Sequence, residues 1–176
     1  RDLETAEIAT EAALTGHLVF SSLHTNNAID AVTRLVEIGV EPFMVAPSII
    51  GILAQRLGRR ICPKCKESYI ASPEEMFYFG LSANGPPIQL YRGKGCPSCL
   101  GTGYSGRIAI HEMLTVNDEI RDLISQQAPA NRIAAVAYKT GYSPMRFDGL
   151  KKALRGLTTL REVLHVTSAQ EEVLRE

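Results

Sequence analysis

The chain contains four cysteines, arranged as two Cys-x-x-Cys pairs formed by Cys62 with Cys65 and by Cys96 with Cys99. Each pair can lie on a tight turn that points both sulfur atoms at one ion, and four thiolates satisfy the tetrahedral coordination of Zn²⁺. Four protein ligands leave no open coordination position, so the metal would be structural rather than catalytic. Four buried free thiols, or a disulfide within each pair, are the alternatives; the matched spacing favours the metal.

Thirty residues, at positions 66–95, separate the two cysteine pairs. This spacer is longer than the roughly 15–20 residues common in four-cysteine zinc sites. We therefore expect the insert to have structure of its own, including a short helix over Pro73–Phe79 with Ser72 as its N-cap.

Two histidines, His17 and His24, flank the β-prone run Leu18–Leu23. The run lacks clean alternation, which is typical of a strand buried on both faces of a parallel sheet. Ligands of such sheets bind at the carboxyl ends of the strands, where His24 would lie beside the anion-favouring N-terminus of the next helix. His17 would lie at the opposite edge, because seven extended residues span about 23 Å. His24 is therefore the better phosphate candidate, with packing or a surface position as the alternative for both histidines.

The sequence has no phosphate-cradling loop of the form Gly-x-x-x-x-Gly-Lys-Ser/Thr. The run Gly93-Lys94-Gly95 does not qualify, because it precedes Cys96 rather than a helix. We therefore expect these 176 residues alone to show no specific ATPase activity and very weak nucleotide affinity.

Composition argues against several classes of function. The 19 basic and 19 acidic residues cancel, so no global field favours nucleic acid or an anionic membrane. No apolar run approaches the roughly 18 residues that span a bilayer, and metal-type cysteine pairs are typical of a reducing, cytoplasmic setting. Position 1 is an arginine with no signal peptide after it, which we interpret as a cut through a longer protein.

A zinc ribbon that binds nucleic acid is the alternative from another class of protein, and a purely structural interaction module is the third. Dispersed cations and two tyrosines near the cysteines are the only support for nucleic acid, and a solvated basic rim explains them as well. These residues are Lys64, Lys66, Tyr91, Arg92, Lys94 and Tyr104.

The order helix, strand, helix at the start of the chain predicts an α/β fold, although three elements are too few for a complete doubly wound sheet. Periodicity and capping residues predict most of the remaining elements. We predict helices over Leu3–Thr15, from Asn27 to Gly39, over Phe43–Leu57 (one or two), Asp118–Gln126, Asn131–Lys139, Met145–Leu154 and Leu160–Val166, and a strand over Arg107–Leu114.

Taken together, these segments resemble the secretion ATPases of the GspE/PilB type, and the resemblance covers essentially the whole chain. His17 and His24 fall on the stretch called the His box in that family, and Arg1-Asp2 falls on the tail of its Walker B motif. Retraction ATPases of the pilus share the His box but generally lack the four cysteines. The matching segments are Arg1–Ala6, Leu14–Val19, Leu23–Asn26, Gly39–Phe43, Leu53–Leu57, Cys62-Pro63, Gly95–Cys99, Gly101–Tyr104, Gly106-Arg107 and His111-Glu112.

The resemblance implies the C-terminal part of a RecA-like P-loop NTPase in a ring-shaped homohexamer. It implies ATP hydrolysis with Mg²⁺ by the full-length protein, which powers type II secretion or type IV pilus assembly through an inner-membrane platform. The protein would be cytoplasmic and peripheral on the inner membrane, and no nucleic acid is expected as a partner. The implied site residues are His24 and His17 for catalysis, Arg1, Asp2, Arg34 and Arg56 for nucleotide, and the four cysteines for Zn²⁺.

We accordingly divide the chain into three regions. Residues 1–57 would complete the RecA-like core, residues 58–106 would form the zinc subdomain, and residues 107–176 would form a strand followed by a helical C-terminal subdomain. Secretion and pilus assembly remain alternatives. The sequence does not decide which of Arg34 and Arg56, if either, reaches a phosphate.

Overall fold

The computed structural model describes residues 2–82 and 84–167, and within them the chain forms eight α-helices and four β-strands. The helices are α1 (Leu3–Leu14), α2 (Ala28–Ile38), α3 (Pro42–Ser48), α4 (Pro73–Phe77), α5 (Asp118–Ser125), α6 (Ala130–Lys139), α7 (Met145–Leu154) and α8 (Leu160–Thr167). The strands are β1 (Gly51–Ile61), β2 (Lys66–Ile70), β3 (Gln89–Gly93) and β4 (Tyr104–Thr115).

Local capping signals explain where α1 and α2 begin and end. The Asp2 side chain accepts the Thr5 amide at 2.9 Å and starts α1, and the Asn27 side chain accepts the Asp30 amide at 2.7 Å and starts α2. Gly39 ends α2 at φ 112°, in the left-handed region that glycine adopts at low cost. The predicted helices at these positions are confirmed.

The predicted strand over Leu18–Leu23 is wrong for the part of the chain that the structure describes. The segment has no regular secondary structure and pairs with none of the four strands, and Leu18 and Phe20 are 68% and 88% exposed. A strand exists only where a neighbour completes its backbone hydrogen bonds, and no described strand does so here.

The predicted helix over Phe43–Leu57 is correct only for its first part. Helix α3 ends at Ser48, shortly after Pro47, and the chain continues as β1, which pairs with β4. The apolar residues here have spacings that fit either a helix or a strand. A partner strand more than forty residues away decides in favour of the strand.

Helices α5 to α8 confirm the four helices predicted for the C-terminal part, within one or two residues at each end. Strand β4 confirms the predicted strand and extends it in both directions. The three-region division stays a prediction. The structure forms two compact units, one made of the chain up to Ala54 with Glu112–Ser143, and the other made of Gln55–His111 with the chain from Pro144 onward.

The first unit has an apolar core built from helices and the end of β4. Helix α2 buries one face, α3 and α5 pack together, and α6 covers α2. The side chains of Leu114 and Ile120 are fully buried at the centre of this core. This packing holds α2 in place. The segment that leads into α2 is therefore fixed where it joins the helix.

The second unit is held together by a polar network around Glu162 of α8. This carboxylate is buried and accepts the Arg59 backbone N–H and the Arg59 Nε–H, both at 2.9 Å. Thr158 donates to the Arg59 carbonyl oxygen at 2.8 Å, and the Tyr104 hydroxyl lies 2.9 Å from Thr159 Oγ1. Because α8, β1 and β4 all contribute, the network fixes α8 against both strands.

Acid should weaken the second unit through Glu162. Burial raises the pKa of this carboxyl, but the hydrogen bonds from Arg59 outweigh it and hold the pKa below its ordinary value. A depressed folded-state pKa contributes stability above the ordinary value of about 4.3, and this contribution is lost as pH falls through the folded-state pKa. Glu162→Gln should therefore lower the urea midpoint of unfolding near pH 7. Between pH 5 and 3 the midpoint should decrease less in this variant than in the wild type. An equal decrease of the midpoint in the two proteins would contradict this.

Candidate metal centre and the histidine segment

The four cysteine sulfurs converge on one point, with all ligand atoms within 4.8 Å of one another. The Sγ–Sγ distances are 3.9 Å for Cys62 to Cys96, 3.8 Å for Cys65 to Cys99 and 3.7 Å for Cys96 to Cys99. A tetrahedron of sulfurs each about 2.3 Å from Zn²⁺ has edges of about 3.8 Å. The geometry therefore fits one tetrahedral ion, and it confirms that the two pairs form a single site.

Backbone amides point at the sulfurs and support negative charge there. The Gly95 N–H donates to Cys65 Sγ at 3.3 Å, while the Cys96 and Gly103 N–H groups donate to Cys99 Sγ at 3.2 and 3.3 Å. Such outer contacts orient ligands and stabilise thiolates, which is the form that binds a metal.

The environments of two cysteines push their pKa values apart. Burial raises the pKa of Cys65 to about 12, more than the Gly95 amide can offset. At Cys99 burial acts in the same direction, but the amides of Cys96 and Gly103 outweigh it and lower the pKa to about 6. One thiolate is thus favoured before any metal binds, whereas a full set of four requires the charge of a cation.

Glycines allow the two turns of the site to approach each other closely. A Cβ on Gly93 would lie 2.0 Å from the Gly103 carbonyl oxygen, and a Cβ on Gly95 would lie 2.7 Å from that of Gly101. The Cys62 N–H also donates to Gly103 O at 2.9 Å. Any larger residue at Gly93 would separate the backbone segments that carry the ligands.

The insert between the cysteine pairs forms its own hairpin, as expected from its length. Strands β2 and β3 pair antiparallel from Lys66 opposite Gly93 to Ile70 opposite Gln89, so the ladder begins beside the metal site. Helix α4 follows β2 and starts with a capping box between Ser72 and Glu75. The sequence predicted this helix but not the two strands.

The tyrosines considered for base stacking already have cations over their rings. Lys66 Nζ lies 4.3 Å from the Tyr91 ring centroid, and the Arg59 guanidinium carbon lies 4.2 Å from that of Tyr104. Arg92 pairs with Glu67 at 2.8 Å. These contacts cover one face of each ring and part of the basic rim. The expectation of no nucleic-acid partner stays a prediction.

His17 folds back onto the end of α1. Its Nδ1 lies 3.3 Å from the Ala12 carbonyl oxygen, an atom that can only accept, so this hydrogen bond requires a proton on Nδ1. Thr15 Oγ1 lies 3.2 Å from the same nitrogen. Asp2 caps the other end of α1, about 18 Å away along twelve helical residues, so the structure does not bring these two predicted site residues together.

His24 is exposed and forms no hydrogen bond with any residue that the structure describes. Two of the first three amides of the following helix already have acceptors. The Ala28 N–H donates to Glu112 Oε1 at 2.6 Å, and the Asp30 N–H donates to Asn27 Oδ1 at 2.7 Å. A phosphate at this helix end would meet the Glu112 carboxylate, so His24 would have to act through its own imidazole.

The predicted arginines lie on three different parts of the chain, one of them outside the described residues. Arg34 pairs with Glu37 on the exposed face of α2 at 3.1 Å, Arg56 lies on β1 in the second unit, and Arg1 is outside the described residues. The predicted roles of the histidines, arginines and Asp2 toward nucleotide stay predictions.

Sequence reasoning missed Glu112 as a residue of this site. Its side chain is buried in the first unit, where it contacts the helix that follows His24. The available signal was an acidic residue in the run Ile108–Leu114, which is apolar apart from Glu112 and His111. A buried glutamate has to have a partner.

The fold is that of an α/β protein whose four cysteines lie close enough to hold one metal ion, and comparison places it in a family. Residues 1–165 match the family described as type II/IV secretion system protein, so the chain belongs to that family. It resembles the structure of the ATPase DotB from Legionella pneumophila with a TM-score of 0.59 at 21% identity, over 96% of this chain and 37% of that one.

Two curated relatives are much closer in sequence. The chain is 54% identical to the type IV pilus assembly ATPase PilB of Thermus thermophilus, over 93% of this chain and 19% of that protein. It is 50% identical to the type II secretion system ATPase E of Vibrio cholerae, over 95% of this chain and 33% of that protein. The chain therefore spans a third or less of these relatives. No helix in the described part of the chain has the length and apolarity needed to cross a membrane.

Proposed function

We propose that this chain is the C-terminal part of an ATPase that hydrolyses ATP to drive type II protein secretion or type IV pilus assembly. The observation that carries the proposal is its identity of 54% and 50% to proteins named as ATPases of these two machines, over nearly all of its length. One of these relatives is named for pilus assembly and the other for secretion, so the proposal covers both systems.

In the full-length protein, His24 would contact the γ-phosphate of ATP bound with Mg²⁺. Phosphoryl transfer depends mostly on positioning and charge stabilisation, and an exposed imidazole without a described hydrogen-bond partner can supply both. His17, bonded to the end of α1, would support packing or a subunit contact. Asp2, Arg1, Arg34 and Arg56 are the remaining nucleotide candidates, and the phosphate-cradling loop would come from outside these 176 residues.

The four cysteines would hold one structural Zn²⁺, as their sulfur spacing supports. The ion supplies the charge that stabilises four thiolates, and with four protein ligands it is closed to substrate. Cys62, Cys65, Cys96 and Cys99 would in this way fix the start and the end of the β2–β3 insert.

For the whole protein we propose a homohexamer that is cytoplasmic, peripheral on the inner membrane and coupled to an inner-membrane platform. Residues 1–57 would complete a RecA-like core, 58–106 would form the zinc subdomain and 107–176 a strand with a helical subdomain. No nucleic-acid partner is proposed, which agrees with the balanced charge of 19 basic and 19 acidic residues.

The proposal predicts a difference between the full-length protein and these 176 residues. The full-length protein should release phosphate from ATP in a Mg²⁺-dependent reaction, whereas the 176-residue chain should show no specific release, because it lacks a phosphate-cradling loop. Phosphate release and calorimetric ATP titration of both proteins test this. An inactive, correctly assembled full-length protein would refute the proposed activity, and micromolar ATP binding by the short chain would show that the nucleotide site is misplaced.

A further inference from the structure

Glu112 is a buried carboxylate that connects two distant parts of the first unit. Its residue is 2% exposed, and Oε1 accepts the Ala28 backbone N–H at 2.6 Å across 84 positions of sequence. Burial and the nearby negative charge of the Glu112 carboxylate also raise the pKa of Tyr142. Strand β4 therefore reaches the N-terminus of α2 through one side chain.

The position of this carboxylate favours a specific function over simple packing. A buried acid has a large desolvation cost unless hydrogen bonds and local positive potential compensate it. The N-terminus of an eleven-residue helix supplies both, because its first amides are unsatisfied within the helix and carry partial positive charge. Glu112 thus provides a cap from outside the local sequence, in addition to the one from Asn27.

The segment held by these two caps includes His24. Asn27 is tied to Asp30 through its side chain, and its carbonyl oxygen accepts the Thr25 hydroxyl at 3.0 Å. His24 itself has no hydrogen bond among the described residues, so its imidazole is placed by the backbone between it and Ala28. If the Ala28 amide loses its acceptor, that backbone loses this long-range contact with Glu112.

We propose that Glu112 is a positioning residue that fixes residues 24–28 and thereby places the His24 imidazole for its reaction. The catalytic part of this inference rests on the function proposed for His24, while the structural part does not. Glu112 would not touch nucleotide, because its carboxylate is buried and accepts the Ala28 backbone N–H.

The structural part is tested by amide hydrogen exchange of the full-length protein without nucleotide. Glu112→Ala removes the acceptor, and Glu112→Asp keeps the charge but shortens its reach, so a folded variant is available if alanine fails to fold. Both should accelerate exchange in peptides covering residues 24–31, by about tenfold for alanine. The Glu112→Gln variant keeps an acceptor oxygen, so its exchange should remain close to that of the wild type. Unchanged exchange in a folded Glu112→Ala or Glu112→Asp protein would overturn the inference.

A matched control uses Glu162, which is 3% exposed and also accepts a backbone N–H, but in the second unit. Glu162→Asp should leave exchange of residues 24–31 unchanged. Acceleration there equal to that of Glu112→Asp would show a general loss of stability and overturn the specific role of Glu112.

Measurements of ATP turnover distinguish a role in positioning His24 from a loss of activity that does not depend on His24. Glu112→Ala should lower kcat for ATP about tenfold with KM within about twofold, and it should have no further effect in a His24→Ala background, since coupled residues are non-additive. An equal fall in both backgrounds overturns the positioning role. If His24→Ala alone leaves kcat normal, the function proposed for His24 fails, and the exchange data alone decide whether Glu112 anchors the segment.

Discussion

Serine at Cys62 or Cys96 should abolish stoichiometric zinc binding and unfold residues 58–106. The four sulfurs lie at the mutual distances of a tetrahedral site, and three backbone amides already donate to two of them. Because such a site forms only in the folded chain, its binding free energy contributes to folding, and structural zinc sites reach apparent values of about 10–16 kcal/mol. Loss of one ligand should therefore also lower solubility.

Metal analysis of freshly purified, reduced protein should give one Zn²⁺ per chain for the wild type and much less for either variant. Hydrogen exchange should lose protection across β2 and β3 in the variants. Ser98→Ala is the matched control, since Ser98 lies exposed on the same turn as Cys96 and should keep both metal and protection. Absence of metal from the wild-type protein would remove the zinc assignment.

Alanine at His24 should reduce ATP turnover of the full-length protein by about 10²–10³, the usual cost of removing one stabilising donor in a transition state. Nucleotide affinity should survive, because the loop that cradles the phosphates would lie elsewhere in the protein. Alanine at His17 should leave partial activity and act through assembly, because that imidazole is bonded to the end of α1.

Steady-state rates, nucleotide affinities and hexamer mass for both variants distinguish the two histidines. Near-normal turnover in His24→Ala would refute its assignment. An assembled but inactive His17→Ala protein would mean that the roles are exchanged or shared. Lys139→Ala serves as the control for loss of one surface charge, because Lys139 is exposed in the last turn of α6.

Helices were predictable from the sequence where their boundaries depend on neighbouring residues. Asn27 begins α2 because its side chain accepts an amide three residues later. Gly39 ends α2 because it adopts a left-handed conformation and donates to carbonyl oxygens three and four residues earlier. The convergence of the four cysteines was predictable for a similar reason, since two residues between paired cysteines suffice to point both sulfurs at one place.

Strands were harder to predict because their existence depends on distant partners. Residues Gly51–Leu57 became part of β1 through pairing with β4, and Leu18–Leu23 did not become a strand because no described strand lies beside it. Glu112 illustrates the same limit at the site. Its bond to the Ala28 amide spans 84 positions, and no local pattern specifies such a contact.

Because of the hairpin between the cysteine pairs, the length of the insert should have little effect on the free energy of folding. Its ladder starts at Lys66 opposite Gly93, next to the ligands, so the register is set at the metal end and the far end only has to reconnect. Doubling a flexible connection adds only about 0.6 kcal/mol of closure entropy. Homologous chains can therefore lengthen or shorten the segment between Phe77 and Gln89 at little thermodynamic cost, while the glycines that face each other beside the cysteines permit no comparable variation.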